Sequence, residues 1–185
     1  AEVCISIGLP AGVLNIIHGL GESVGRALVE HPDVQAISFT GSTRVGRAIA
    51  MECARTFKKV TLEMGGKNPA IVFEDAPSQN LIADIVRLGF QNSGQICLCG
   101  SRILVQASIY ERFRADFLRH LETLVVGDPN DPTTRLGPVM SKAHYDKVLG
   151  YIELVKQEGG RILCGGEALR LHGALADGWF IAPTV

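Results

Sequence analysis

Two thiols lie two residues apart in QNSGQICLCGSRILV, residues 91 to 105, and they carry the strongest chemistry of this 185-residue chain. A metal site needs three or four nitrogen, sulfur or oxygen ligands. Cys97-x-Cys99 has neither a second cysteine pair nor a histidine at ligand spacing, so no metal is expected. A redox pair ordinarily keeps two residues between its sulfurs and meets at a helix N-terminus. The segment around Cys97 reads instead as extended chain, whose alternation puts Cys97 and Cys99 on one side and Leu98 on the other. A nucleophile and a buried strand thiol are the readings left in competition.

Three other stretches could act with a thiol. In FTGSTRVG, residues 39 to 46, a strand runs through Gly41 and Ser42 into a helix. The free N–H groups and positive dipole end of that helix would suit a phosphate or pyrophosphate. An ordinary capped strand-to-helix turn is the competing reading. GLGESVG, residues 19 to 25, makes a second glycine-rich turn around Gly21, with its last spacing one residue too long for a dinucleotide fingerprint. In VTLEMGGK, Glu63 ends an apolar strand beside two glycines. A partly buried carboxylate there would titrate high and serve as a general base, whereas pairing with Lys67 would make it structural.

Short apolar runs alternate with helical periodicity, which predicts an α/β fold with mostly parallel strands. Strands are expected at Val13 to Ile17, Ala36 to Phe39, Lys59 to Leu62, Ala70 to Phe73, Arg102 to Val105, Arg161 to Leu163 and Trp179 to Ala182. One helix should follow Gly41, with Val45, Ala48, Ile49 and Cys53 inward, and another should run from about Ser78 to Asn92. A third should start at Ser108, capped with Glu111 and presenting Ile109, Phe113, Phe117, Leu121 and Leu124. The last should start at Ser141, with Tyr145, Val148, Leu149, Ile152 and Val155 on one face, and end at Gly159-Gly160. Gly65-Gly66 suggests a seam, giving domains at 1–65 and 66–185.

With 46% hydrophobic and 20% charged residues, the chain can bury a sizeable core. Its net charge of −1 draws it to neither nucleic acid nor an acidic membrane, so the expected partner is a small molecule. Five cysteines, an odd number at irregular spacing, argue for a reducing, cytoplasmic compartment over a disulfide framework. The chain starts at Ala1 and stops at Val185 without start or stop chemistry, and is expected to be a piece of a longer protein.

Taken in order, FTGSTRVG, LEMGGKNPAIVFEDA, GQICLCGSRILV, GPVMSK and GWFIAPTV resemble the aldehyde dehydrogenase superfamily along essentially the whole chain, including the 34 residues from Glu63 to Cys97. The resemblance implies that family's parallel-sheet fold, with the C-terminal part of the cofactor domain in 1–65 and most of the catalytic domain in 66–185. It implies Cys97 as the nucleophile that forms a thiohemiacetal and then a thioester, and Glu63 as the base that activates the hydrolytic water. It further implies NAD as cofactor, with NADP left open, against Gly21, Gly41, Ser42 and Val45. The intact protein would be a cytoplasmic homodimer or homotetramer acting on an aldehyde. Cys99 matches no catalytic position and is expected to pack. Gly94 and Gly100 are expected to leave backbone room for ligands. GQICLC with SRILVQASIYERF looks closest to the branch acting on 2-aminomuconate semialdehyde, a dicarboxylic semialdehyde. The 185 residues alone are not expected to turn over. A cysteine-dependent acyl-transfer or hydrolytic enzyme with a histidine partner, and a non-catalytic α/β binding module, are the alternatives.

Overall fold

The computed structural model describes residues 2–77 and 79–185, so Ser78, the expected start of one helix, lies outside the described residues. The chain divides into two compact units, 1–64 and 65–185.

The first unit opens with a one-turn helix α1 (Glu2–Ser6), a π-helical turn Gly21–Gly25 and a short α2 (Arg26–Glu30). Its centre is a β-α-β unit of β1 (Ala36–Gly41), α3 (Thr43–Arg55) and β2 (Lys59–Met64). The two strands pair in parallel, from Ala36 opposite Lys59 to Gly41 opposite Met64, and a parallel pair requires the crossover that α3 supplies. Ser42 starts the helix because its backbone is extended while its Oγ accepts the Val45 N–H at 3.3 Å. Such a cap contributes about 1 kcal/mol. Gly46, Ile49 and Cys53 form the buried stripe, and a Cβ on Gly46 would come within 2.9 Å of Met64 Sδ, so glycine lets the helix approach β2 closely. Ala48, expected inward, is exposed, because it sits about 100° around the helix from Ile49. Phe57, at φ 54°, turns the chain out of the helix. Lys58 Nζ then donates to the carbonyls of Val29 and His31, both at 2.6 Å, and closes the end of α2.

The expected strand at Val13 to Ile17 does not form. The segment has no ladder partner among the described residues, and Val13, Leu14, Ile16 and Ile17 are all more than half exposed. Apolar sequence sets a preference for extended chain, but a strand also needs a neighbour for its N–H and C=O groups.

The second unit repeats the logic with β3 (Pro69–Val72), α4 (Leu81–Phe90) and β4 (Arg102–Val105). The strands are parallel, with Pro69 opposite Arg102 and Val72 opposite Val105. Ile85 and Val86 of α4 meet Val72 and a third layer, α5 (Tyr110–Leu121), which contributes Phe113, Phe117 and Leu121. Phe113 and Phe117, one turn apart, stack at 5.7 Å. The apolar stripe of α5 matches its sequence period; its cap does not. Residues Ala107–Ile109 form a 3-10 turn, and the Ser108 hydroxyl donates to Glu74 Oε2 at 2.9 Å instead of closing a box with Glu111, which pairs with Arg114.

Helix α6 (Lys142–Gln157) starts at Ser141, whose Oγ accepts the His144 N–H, and Gly159 at φ 81° turns the chain beyond its end. Its apolar face is covered from Tyr145, which lies 5.5 Å from the Trp179 ring, to Ile152; Val155, expected inward, is exposed. The expected strand at Arg161 to Leu163 is likewise absent. Gly165 and Gly166, at φ 67° and 84°, turn the chain, and the paired residues are β5 (Ala168–Leu169) antiparallel to β6 (Phe180–Ile181). The Leu163 and Cys164 N–H groups donate to the Val185 carbonyl, and the Val185 N–H donates to the Cys164 carbonyl.

Candidate active site

Cys97 stands on a turn where an extended segment was expected. Helix α4 ends at Phe90, and Asn92 and Ser93 enter the left-handed region at φ 51° and 54°, followed by Gly94 at 73°. Gln95 follows at φ −91° and ψ 32°, outside the extended region, so no strand leads into Cys97. The Cys99 N–H instead closes a turn onto the Ile96 carbonyl at 3.1 Å. Cys97 is half-buried, Leu98 is exposed and Cys99 is buried, with its Sγ facing the Gln91 carbonyl at 3.9 Å. The two thiols are therefore separated by environment. Gly100 does not keep space free for a ligand, because a Cβ there would meet Leu88 Cδ2 at 2.6 Å. Glycine at that position admits a side chain of α4.

Asn68, which sequence reading passed over, holds this turn. Its Nδ2 donates to the Cys97 carbonyl at 2.6 Å and to the Cys99 carbonyl at 3.3 Å. Ser93 Oγ donates to the Gly137 carbonyl at 2.9 Å, and Gln95 Oε1 accepts the Met140 N–H at 3.1 Å, so the segment before the turn is tied to residues 137–140. The one available signal was a carboxamide ahead of a proline at the head of β3, the strand that pairs with the chain leaving the cysteine turn. The Cys97 N–H takes part in none of these bonds. The polar groups that bond the turn are Asn68, Ile96 and Gln91, and none is a histidine.

In the first unit, Gly41, Ser42 and Val45 meet at the junction of β1 and α3. Ser42 Oγ occupies the Val45 N–H and the Ser42 carbonyl accepts the Gly46 N–H, which leaves the Thr43 and Arg44 N–H groups at the helix mouth, with the exposed Arg44 and Arg47 on the same turns. This donor set fits a pyrophosphate: backbone donors, a helix's positive end and two guanidinium groups. Gly21 opens the π-helical turn that precedes α2. Glu63 pairs across from Thr40 at the end of β2. It is exposed, contrary to the expectation of a partly buried carboxylate. Strand alternation gives the α3-facing side of β2 to Leu62 and Met64, so Glu63 projects from the opposite face, where Lys59 and Thr61 are exposed as well.

All five cysteines are free, and no cluster of three metal-ligating side chains occurs among the described residues. Burial pushes the Cys164 thiol up, the backbone bond from Val185 opposes this, and the Glu122 charge adds to the rise. The fold thus favours the neutral thiol. Its contribution to stability is complete below the ordinary thiol pKa and is lost as pH rises through the raised value. Iodoacetamide labelling at about pH 9, followed by peptide mass spectrometry, should modify Cys164 in urea-unfolded protein faster than in native protein. Equal rates would contradict it.

A cleft of about 460 Å³ in the second unit runs between Phe73, Glu74, Leu81, Ile82, Arg112 and Asp116. Neither Cys97 nor Asn68 lines it, so volume alone does not mark the chemistry. No helix of the described residues is long and apolar enough to cross a membrane.

Comparison with known proteins gives a consistent result. The model of the aldehyde dehydrogenase family matches residues 1–185. The 2-aminomuconic semialdehyde dehydrogenase of Mus musculus is 48% identical over 180 residues, which cover 96% of this chain and 37% of that protein. Among solved structures, PnpE in complex with nicotinamide adenine dinucleotide superposes with a TM-score of 0.92 at 40% identity, over 99% of this chain and 37% of that one. Betaine aldehyde dehydrogenase from Staphylococcus aureus in complex with NAD+ gives 0.89 at 36% identity, over 99% of this chain and 36% of that one. The chain thus spans little more than a third of the length of the relatives it matches.

Proposed function

The chain belongs to the aldehyde dehydrogenase family, and on that premise we propose that the full-length protein oxidises an aldehyde to a carboxylic acid with NAD, Cys97 serving as nucleophile and Glu63 as general base. The observation that carries the reading is the half-buried Cys97 on a pinned turn, in a chain that the family matches from end to end.

The Cys97 thiolate adds to the aldehyde carbon, and the carbonyl oxygen becomes an oxyanion. The Cys97 N–H is a donor for that charge. Loss of hydride from the resulting thiohemiacetal leaves an acyl group on the sulfur as a thioester. NAD, when bound, supplies the hydride acceptor, and the donor set at Gly41, Ser42 and the first turn of α3 suits its pyrophosphate, with Val45 and Gly21 as further lining. Glu63 takes a proton from water, the hydroxide attacks the thioester carbon, and the acid leaves as the Cys97 thiolate is restored. In this reading residues 1–65 belong to the dinucleotide-binding domain and 66–185 to the catalytic domain.

The similarity to a 2-aminomuconic semialdehyde dehydrogenase supports a dicarboxylic semialdehyde as substrate. Five free thiols support a reducing, cytoplasmic setting, and we take the assembly to be a homodimer or homotetramer. A hydrolase in which a histidine activates Cys97 is the weaker reading, because the turn's polar partners are a carboxamide and backbone carbonyls. The test is an assay of the full-length protein with NAD or NADP and an aldehyde panel that includes a dicarboxylic semialdehyde. Aldehyde-dependent reduction of the nicotinamide is expected. Cysteine-dependent ester hydrolysis with no nicotinamide reduction would favour the hydrolase.

A further inference from the structure

The geometry points to Asn68 as the positioning residue of the Cys97 thiol, its carboxamide fixing the Cys97–Cys99 turn through two carbonyls so that the sulfur is held in one attack position. This rests on the assignment of Cys97 as nucleophile. Asn68 is itself anchored. Its backbone carbonyl accepts the Arg102 N–H at 3.3 Å, and Arg102 Nε donates to the neighbouring Lys67 carbonyl at 2.9 Å, so the residue is part of the paired start of β3 and β4. Its side chain then bridges to the carbonyls on either side of Leu98.

Few side chains can do this. A primary carboxamide carries two N–H donors on one nitrogen, enough for two acceptors; a carboxylate has none, and a serine hydroxyl has one. The two carbonyls also fix which end of the carboxamide faces the turn, since Oδ1 would meet two acceptors. With the Cys97 carbonyl drawn toward Asn68 and the Cys99 N–H onto Ile96, rotation of the Cys97–Leu98 peptide is blocked. That rotation would swing the sulfur and the Cys97 N–H and would turn a carbonyl dipole toward the developing oxyanion. Ser93 and Gln95 tie the segment before the turn to residues 137–140, and Asn68 restrains the Cys97–Cys99 turn itself from the start of β3.

The test uses the full-length protein and the variants Asn68→Ala, Asn68→Ser and Asn68→Asp, each checked for NAD binding and thermal unfolding. Misplacing a nucleophile by a fraction of an ångström to an ångström slows attack, so Asn68→Ala should cut the pre-steady-state rate of NADH formation by about 10- to 100-fold. The KM for the aldehyde and the Kd for NAD should stay within about twofold, as for a contribution made only in the transition state. Asn68→Ser, with one donor, should recover part of the rate, and Asn68→Asp should be the slowest. Iodoacetamide labelling of Cys97 should slow in the same order while Cys164 labels at the parental rate. If Asn68→Ala does not fold, the Ser and Asp pair gives the same comparison. Parental pre-steady-state and labelling rates in any folded Ala or Asp variant would overturn the assignment of Asn68. Full activity in Cys97→Ser would instead overturn the nucleophile on which it rests, so the two failures are distinguishable.

Discussion

Replacing Cys97 by serine in the full-length protein should lower aldehyde-dependent NAD reduction by at least about 10³-fold, as removal of a covalent nucleophile does. A thiol forms a usable fraction of thiolate near neutral pH, whereas an alcohol needs an adjacent base, and the groups that bond this turn are a carboxamide and carbonyls. The change removes little volume at a half-buried position, so folding and NAD binding should be retained. Steady-state kinetics with an NAD-binding titration on the same preparation checks both. Replacing the buried Cys99 by serine gives the contrast. It should cost stability, because the shorter C–O bond leaves a buried hydroxyl out of reach of the Gln91 carbonyl that the Cys99 Sγ faces at 3.9 Å, with the rate of the chemical step little changed. The loss at Cys97 must therefore be in the rate, with the melting temperature near that of the parent.

Glu63→Gln should have the second-largest effect and a different kinetic form. Loss of a general base slows a step by about 10²- to 10⁴-fold, and here that step is hydrolysis of the thioester. Acylation does not use Glu63 in this scheme. Mixing the variant with saturating NAD and aldehyde should give a burst of about one NADH per active site followed by a slow steady state. Glutamine keeps the shape at the end of β2 and cannot take the proton. Addition of a strong external nucleophile such as hydroxylamine should raise the slow phase without changing the burst. A uniform slowing with no burst would move Glu63 from the hydrolytic step to the attack itself.

How much of this was legible in the sequence depends on the range of the interaction. Ser42 as a helix start, Ile49 and Cys53 on the buried stripe of α3 and the Phe113, Phe117 and Leu121 stripe of α5 are local patterns, and the fold follows them. The α/β class followed from the same alternation. The failures share a cause. Val13 to Ile17 and Arg161 to Leu163 have strand composition, but a ladder is made with a partner, and periodicity does not say whether one is there. The Ser108 box lost its hydroxyl to Glu74, 34 residues away in sequence. Asn68 reaches the cysteine turn across 29 residues. Among the residues expected to act, the prominence of Cys97 came from residue type and motif order, while its turn, its exposure and its clamp are products of tertiary structure. Glu63 shows the converse: its place at a strand end was readable and its exposure was not, because burial depends on what packs on that face.

The central claim is that the substrate's acyl group resides on Cys97. It is tested most directly by quenching the Glu63→Gln full-length protein in acid after the NADH burst and mapping the added mass by peptide mass spectrometry. An acyl adduct, two hydrogens lighter than the aldehyde addition product, is expected on the peptide containing Cys97, with Cys99 and Cys164 unmodified. An adduct on another residue, or a burst of NADH with an unmodified Cys97, would contradict it.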